Sequence, residues 1–275
     1  MSWLCLAFYL VLGLSPLWWG SAVAFAEQRD APLAEGLKTL WDDSIYLVTA
    51  PVRMTSREAL AVGGVLTGLA GLMAADHDIR HGVQNNTTAT GLDVAEAFNV
   101  LGSPGAVLGL NAGLFVIGAT NQSHTGDSRL KDAALVSLES EIFAMGAVFV
   151  VRQVVGRARP DQGKGTSHFS PFSGDDSFPS GHAAASFATA AVFADRFEQP
   201  VPVIAYGLAS AVALARIYTD KHFTSDVVAG SVLGWVIGKA LSARHRRADS
   251  AFDIRPLVLD YSPSPTVGLM VVKSF

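Results

Sequence analysis

Apolar residues fall in six runs, near 58–75, 96–119, 132–151, 182–197, 201–218 and 225–243, separated by polar breaks. Their length and their Ala, Gly, Leu and Val content predict helices, because strands are shorter and alternate. Ahead of them, 33–57 mixes apolar and charged residues and contains Pro51, which predicts a surface helix followed by a turn. Behind them, beyond Arg244-His245-Arg246-Arg247, apolar residues alternate around a Pro-Ser-Pro break and predict two short strands joined by a turn. Gly64 and Gly68 share a helix face, as do Gly230, Gly234 and Gly238, a spacing that lets neighbouring backbones pack closely.

Residues 1–26 carry no charged side chain and end in Ala24-Phe25-Ala26, which reads as a secretory signal peptide cleaved after Ala26; an uncleaved anchor shares all but the final alanines. The chain then divides into a surface helix and linker over 27–57, a helical domain over 58–243, and a basic cluster with a β tail over 244–275. Of 275 residues, 50% are hydrophobic and 16% charged, which excludes a disordered chain and a coiled coil. With 20 Lys and Arg against 24 Asp and Glu, there is no basic surplus for nucleic acid. The single cysteine, Cys5, excludes a cysteine zinc site, so chemistry rests on oxygen and nitrogen side chains.

Three polar clusters stand at the helix ends. Arg152 and Arg159 are about two helical turns apart, and Pro160 stops the helix. Guanidinium groups suit phosphate oxygens, although arginines after an apolar run also mark solvated helix ends or membrane boundaries. Ser180 is placed to cap the helix that follows, where free backbone N–H groups form an anion site; Gly181 permits close approach and His182 can exchange a proton near neutral pH. Arg216 precedes His222 and Asp226, four residues apart, so the carboxylate can hold one ring nitrogen and leave the other free, as a dyad or as a plain structural hydrogen bond.

Arg152-x6-Arg159-Pro160, Pro179-Ser180-Gly181-His182 and Arg216-x5-His222-x3-Asp226 together resemble the tripartite signature of the type 2 phosphatidic acid phosphatase and vanadium haloperoxidase superfamily. The resemblance covers roughly 58–243 and implies an all-α fold, a six-helix core bundle, here with a short C-terminal β-hairpin-like tail. It implies that His222 is a nucleophile forming a phosphohistidine, Asp226 its orienting partner and His182 the acid for the leaving oxygen. Arg152, Arg159, Ser180, Gly181 and Arg216 would bind the phosphoryl oxygens, with no metal and no cofactor. Two positions depart from the family pattern: Arg152 stands where lysine is common, and Ala215 where serine is common.

The implied activity is metal-independent hydrolysis of a phosphomonoester or diphosphate, on a lipid phosphate or a small organic phosphate. The alternatives are a vanadate-dependent haloperoxidase on the same scaffold, the one reading with vanadate as cofactor, and a non-catalytic envelope membrane protein. Asp76, His77, Asp78, His81 and Asp93 read as a solvated connection rather than a metal cluster. Glu139 and Glu141 argue that one side of their helix faces protein or water. Lys164, His168, Asp175 and Asp176 lie where they could shape a substrate mouth. Several apolar runs are shorter than a bilayer crossing prefers, so the expectation is a secreted periplasmic domain, soluble or membrane-associated, with a polytopic inner-membrane protein as the alternative.

Overall fold

The computed structural model describes residues 31–250, 253–259 and 266–272. The expected signal peptide lies outside the described residues. Eight α-helices follow in order: α1 (Ala31–Thr49), α2 (Ser56–Gln84), α3 (Ala89–Leu101), α4 (Pro104–Thr125), α5 (Arg129–Val155), α6 (Gly181–Arg196), α7 (Val201–Tyr218) and α8 (Thr224–Ser250). Sequence-local signals set their ends. Thr55 and Glu58 form a reciprocal capping box at the start of α2, and Ser103 followed by Pro104 opens α4.

Helix α6 is the centre of the bundle. Its alanines Ala183, Ala184, Ala185, Ala188 and Ala191 are fully buried, and so short a surface lets α8 approach backbone to backbone. Gly230, Gly234 and Gly238 of α8 face the carbonyls of Ser180, Ala184 and Ala188, leaving no room for a Cβ. The small-residue spacing in α8 therefore reads as close packing. Gly64 and Gly68 of α2 have open space around them, so the same spacing there does not mark a helix contact among the described residues. Val136, Ala144 and Val148 of α5, Val192 of α6 and Ile237 and Leu241 of α8 complete the core.

Two expectations are corrected here. The described residues form a bundle of eight α-helices, not the expected six-helix core. Asp253–Leu259 and Thr266–Val272 pair antiparallel, but 260–265, where the turn would lie, is outside the described residues. The extra helices arise because 96–119, one apolar run in the sequence, is broken at Gly102-Ser103-Pro104 into α3 and α4, and because α1 is a regular helix in its own right.

The secreted, soluble placement is corrected as well. Helices α2, α4, α5, α7 and α8 are each long and apolar enough to cross a membrane, which supports a polytopic chain. Large apolar side chains such as Leu60, Leu66, Ile142, Phe149 and Leu214 point outward from them. Run length misled because the helices outrun their apolar stretches. The 58–75 run sits in a helix that continues to Gln84, its polar end bearing Asp76 and Arg80, which find partners at the bundle's polar end.

Candidate active site

The end of α5, the starts of α6 and α8 and the end of α7 meet at one end of the bundle. Gly156 closes α5 with a positive φ of 56°, and its α-carbon lies so close to the Ser170 carbonyl that no side chain fits. The chain thereby turns inward and carries Arg157 into the protein. Arg157 is 1% exposed, and all five of its N–H donors are used. They go to the Thr166 carbonyl twice (3.1 and 2.7 Å), Ser225 Oγ (2.7 Å), Asp226 Oδ1 (2.6 Å) and Asp76 Oδ2 (2.8 Å). The Phe223 ring lies 4.3 Å from the guanidinium carbon.

Asp76 is thus a buried anchor, not part of a solvated connection as its polar neighbours suggest. It also accepts from the Ser225 backbone N–H at 3.0 Å and from the Ser225 hydroxyl. Arg157, Asp76, Ser177 and Ser225 are the residues that motif reasoning passed over. One signal was present: Asp76 and Arg80 sit one helical turn apart at the end of an otherwise apolar stretch. Arg80 grips Asp220 through two bonds of 2.7 Å, which fixes the turn before His222.

His222 is 2% exposed, and its Nδ1 lies 2.8 Å from the Ser177 carbonyl oxygen. A carbonyl can only accept, so Nδ1 carries the proton and Nε2 keeps its lone pair. Asp226, placed beside His222 by their four-residue spacing, stands 3.8 Å from Nδ1. Its own carboxylate is held by Arg157, by the Ser177 hydroxyl at 2.6 Å and by the Phe223 N–H at 2.9 Å. Ser177 contacts both residues and links them. Burial pushes the His222 imidazole below its ordinary range despite the pull of Asp226.

Around His222 stand the cations. Arg152 donates to the Pro179 carbonyl at 3.1 Å, and Arg159 binds Asp176 through two bonds of 2.7 and 2.8 Å. The second Asp176 oxygen is also 3.4 Å from Arg152. Burial works to raise the Asp176 carboxyl, but the Arg159 bonds and the charges of Arg159 and Arg152 outweigh it and hold it below the ordinary range. Arg216 is buried at the end of α7 with Nε lacking a partner. Ser180 occupies the cap position of α6 but makes no capping bond. Its buried hydroxyl is likewise unpartnered, while its N–H donates to the Asp226 carbonyl at 2.9 Å. Arg152 approaches Gly181 closely.

His182 is half-buried on the first turn of α6 and lies in the field of all these groups. Burial, then the charges of Arg216, His222, Arg152 and Arg159, push it down to about 3 from 6.5. Between those two values the unfolded chain takes up a proton that the folded site refuses, so stability falls as pH falls through that window and levels off below it. Thermal midpoints of the detergent-solubilised protein are expected to show this decline. In His182→Asn the slope should shrink by up to one proton; an unchanged slope would place the acid sensitivity elsewhere.

The profile of the PAP2 superfamily matches residues 133–249. The chain is 34% identical over 97 residues to a lipid A 1-phosphatase of Porphyromonas gingivalis, covering 34% of this chain and 20% of that protein. It is 32% identical over 112 residues to a lipid A 1-phosphatase of Rhizobium etli, covering 39% and 48%. The chain thus spans less than half the length of either relative. Among solved structures, a transmembrane PAP2-type phosphatidylglycerolphosphate phosphatase from Bacillus subtilis is similar at 21% identity and a TM-score of 0.49, covering 67% of this chain and 95% of that one.

Proposed function

We propose that this chain, whose residues 133–249 match the profile of the PAP2 superfamily, is a membrane-embedded phosphatase that hydrolyses a lipid phosphate through a phosphohistidine on His222. The observation that carries this reading is the pair of buried polar atoms without partners, Ser180 Oγ and Arg216 Nε, beside two further guanidinium groups. Buried donors in native proteins are nearly always satisfied, so an open pair among cations calls for an anion. Asp176 marks the kind of group: a planar carboxylate already bridges Arg159 and Arg152 where phosphoryl oxygens would bind.

The chemistry follows from the tautomer. Nε2 of His222 attacks phosphorus while the bond to the ester oxygen breaks, and His182 gives that oxygen a proton. In the free site His182 holds no proton near neutral pH, but a bound phosphate dianion offsets the arginine charges that depress it. His182 then takes a proton from water, the oxygen of that water attacks phosphorus, and the bond to Nε2 breaks to release phosphate. Arg152, Arg159 and Arg216 hold the equatorial oxygens, where charge stabilisation supplies most of the catalysis. Asp226, fixed by Arg157 and Ser177, balances the positive charge on the phosphorylated imidazole. Charge at this cradle comes from side-chain cations, a set that repels metal ions rather than ligating them.

The lipid assignment rests on the five helices that can cross a membrane, of which α2, α5, α7 and α8 each have an end at the site, and on relatives named for lipid A. The membrane half of the envelope-protein alternative thus joins the catalytic reading. Phosphate release should be measured with chelator present from lipid A, phosphatidic acid, a polyprenyl diphosphate and p-nitrophenyl phosphate. The lipids are expected to react at least tenfold faster per enzyme than the soluble ester. Equal or faster release from the soluble ester would remove the lipid assignment, and no release from any would remove the phosphatase.

A further inference from the structure

Away from the phosphate cradle, ionisable side chains from three helices meet inside the bundle. Asp43 of α1 and Glu139 of α5 each direct a carboxylate oxygen at Nε2 of His245 on α8, at 2.8 and 3.1 Å. The three ligating atoms lie within 4.8 Å of one another. Asp43 is 1% and Glu139 6% exposed, and the second Glu139 oxygen has no hydrogen-bond partner. His245 lies roughly 28 Å along α8 from Asp226 at the helical rise of about 1.5 Å per residue, so this is a separate place.

One imidazole nitrogen carries at most one proton, yet two buried carboxylates converge on it and one carboxylate oxygen is left over. A cation at that point would satisfy all three. Metal–ligand distances of about 2.0–2.2 Å put neighbouring ligand atoms roughly 3 Å apart, close to the spacings seen here. Arg244 donates to the other oxygen of Asp43, the kind of outer contact that orients a ligating carboxylate. A cavity of about 510 Å³ between α1 and α8, lined by Asp42, Asp43, Tyr46 and His245 together with Arg244 and Arg247, gives a way in. One imidazole with carboxylates suits a first-row divalent ion, with room for water to complete its coordination.

We propose that Asp43, Glu139 and His245 bind a divalent first-row cation, with Zn²⁺ as the representative ion, and that the ion fastens α1 to the bundle. The full-length protein in detergent, stripped with chelator, should be titrated with Zn²⁺ by calorimetry while its thermal midpoint is followed. One equivalent is expected to bind and raise the midpoint. Glu139→Gln and His245→Gln should each weaken uptake at least tenfold and abolish that rise, whereas His222→Ala should retain both. No stoichiometric uptake, or uptake indifferent to both substitutions, would overturn the site and leave a protonated His245 bridging two carboxylates. Should both variants fail to fold, X-ray absorption of the Zn²⁺-loaded wild type decides. One imidazole with oxygen donors supports the site, and two imidazoles, the His182 and His222 pair, overturn it.

Discussion

Alanine in place of His222 is expected to lower phosphate release by on the order of 10⁴-fold or more, the scale seen when a covalent nucleophile is removed. The reason lies in how little else at the site could replace it. His222 is the imidazole whose Nδ1 is committed to the Ser177 carbonyl, which leaves Nε2 as a lone pair held in one direction. His182, the other histidine of the site, is kept unprotonated first by burial and then by the cations around it, which suits it to proton transfer. Leaving the buried Ser177 carbonyl without its partner should cost about 1–3 kcal/mol, less than a domain's usual stability, so the variant should fold. Circular dichroism and gel filtration check that, and a phosphate-release assay reads the activity. Residual activity within tenfold of wild type in a folded variant would remove His222 from the reaction.

Replacing Arg157 by methionine is the second large effect, and it acts on stability. The guanidinium is the partner of two buried carboxylates, Asp76 and Asp226, at 2.8 and 2.6 Å. Removing it leaves both uncompensated, and breaking a buried pair from one side costs about 3–5 kcal/mol. Lysine keeps the charge but has three donors in place of five in a planar fork, so Arg157→Lys should recover only part of the loss. The thermal midpoint in detergent is the readout. Adding Asp76→Asn to Arg157→Met should restore part of the midpoint, because one of the stranded charges is then gone. A fall no smaller in the double variant would mean that packing, not charge, explains the role of Arg157.

The same two residues show where the sequence can be read and where it cannot. Arg152, Arg159, Ser180, His182, Arg216, His222 and Asp226 were legible as candidates because each lies within a few residues of a helix end, and their spacing reflects the local geometry of that end. Arg157 sat inside the quoted cluster but had no visible purpose, since its partners Asp76 and Asp226 are 81 and 69 positions away in the chain. Distances of that kind are products of the fold and leave no periodic trace. Ser180 shows a subtler gap. Its position at the start of α6 follows from local chemistry, but that its hydroxyl stays free of the cap depends on the neighbours packed around it.

Membrane placement is hidden in the sequence for a related reason. Apolar run length does not set helix length: Asp76, Arg80 and Gln84 extend α2 past its apolar part by bonding to the end of α7 and to the loops around the site. A polar residue that ends an apolar run in the sequence can lie inside a helix whose partners come from elsewhere. The small-residue face of α8 was the opposite case. Gly230, Gly234 and Gly238 announced close packing, and the carbonyls they meet belong to α6, the helix that carries Ser180 and His182. That packing sets the distance between the second and third motifs, so core and site share the same residues.

The covalent intermediate is the central claim, and it can be trapped. Wild-type protein and His222→Ala should be mixed with a lipid phosphate radiolabelled on phosphorus, quenched in denaturant within the first turnovers, and assayed for label on the polypeptide. The account predicts label on the wild type that survives alkali and is lost in mild acid, as a phosphorus–nitrogen bond requires, and none on the variant. Label of the same stability on His222→Ala, or label that alkali removes, would contradict it.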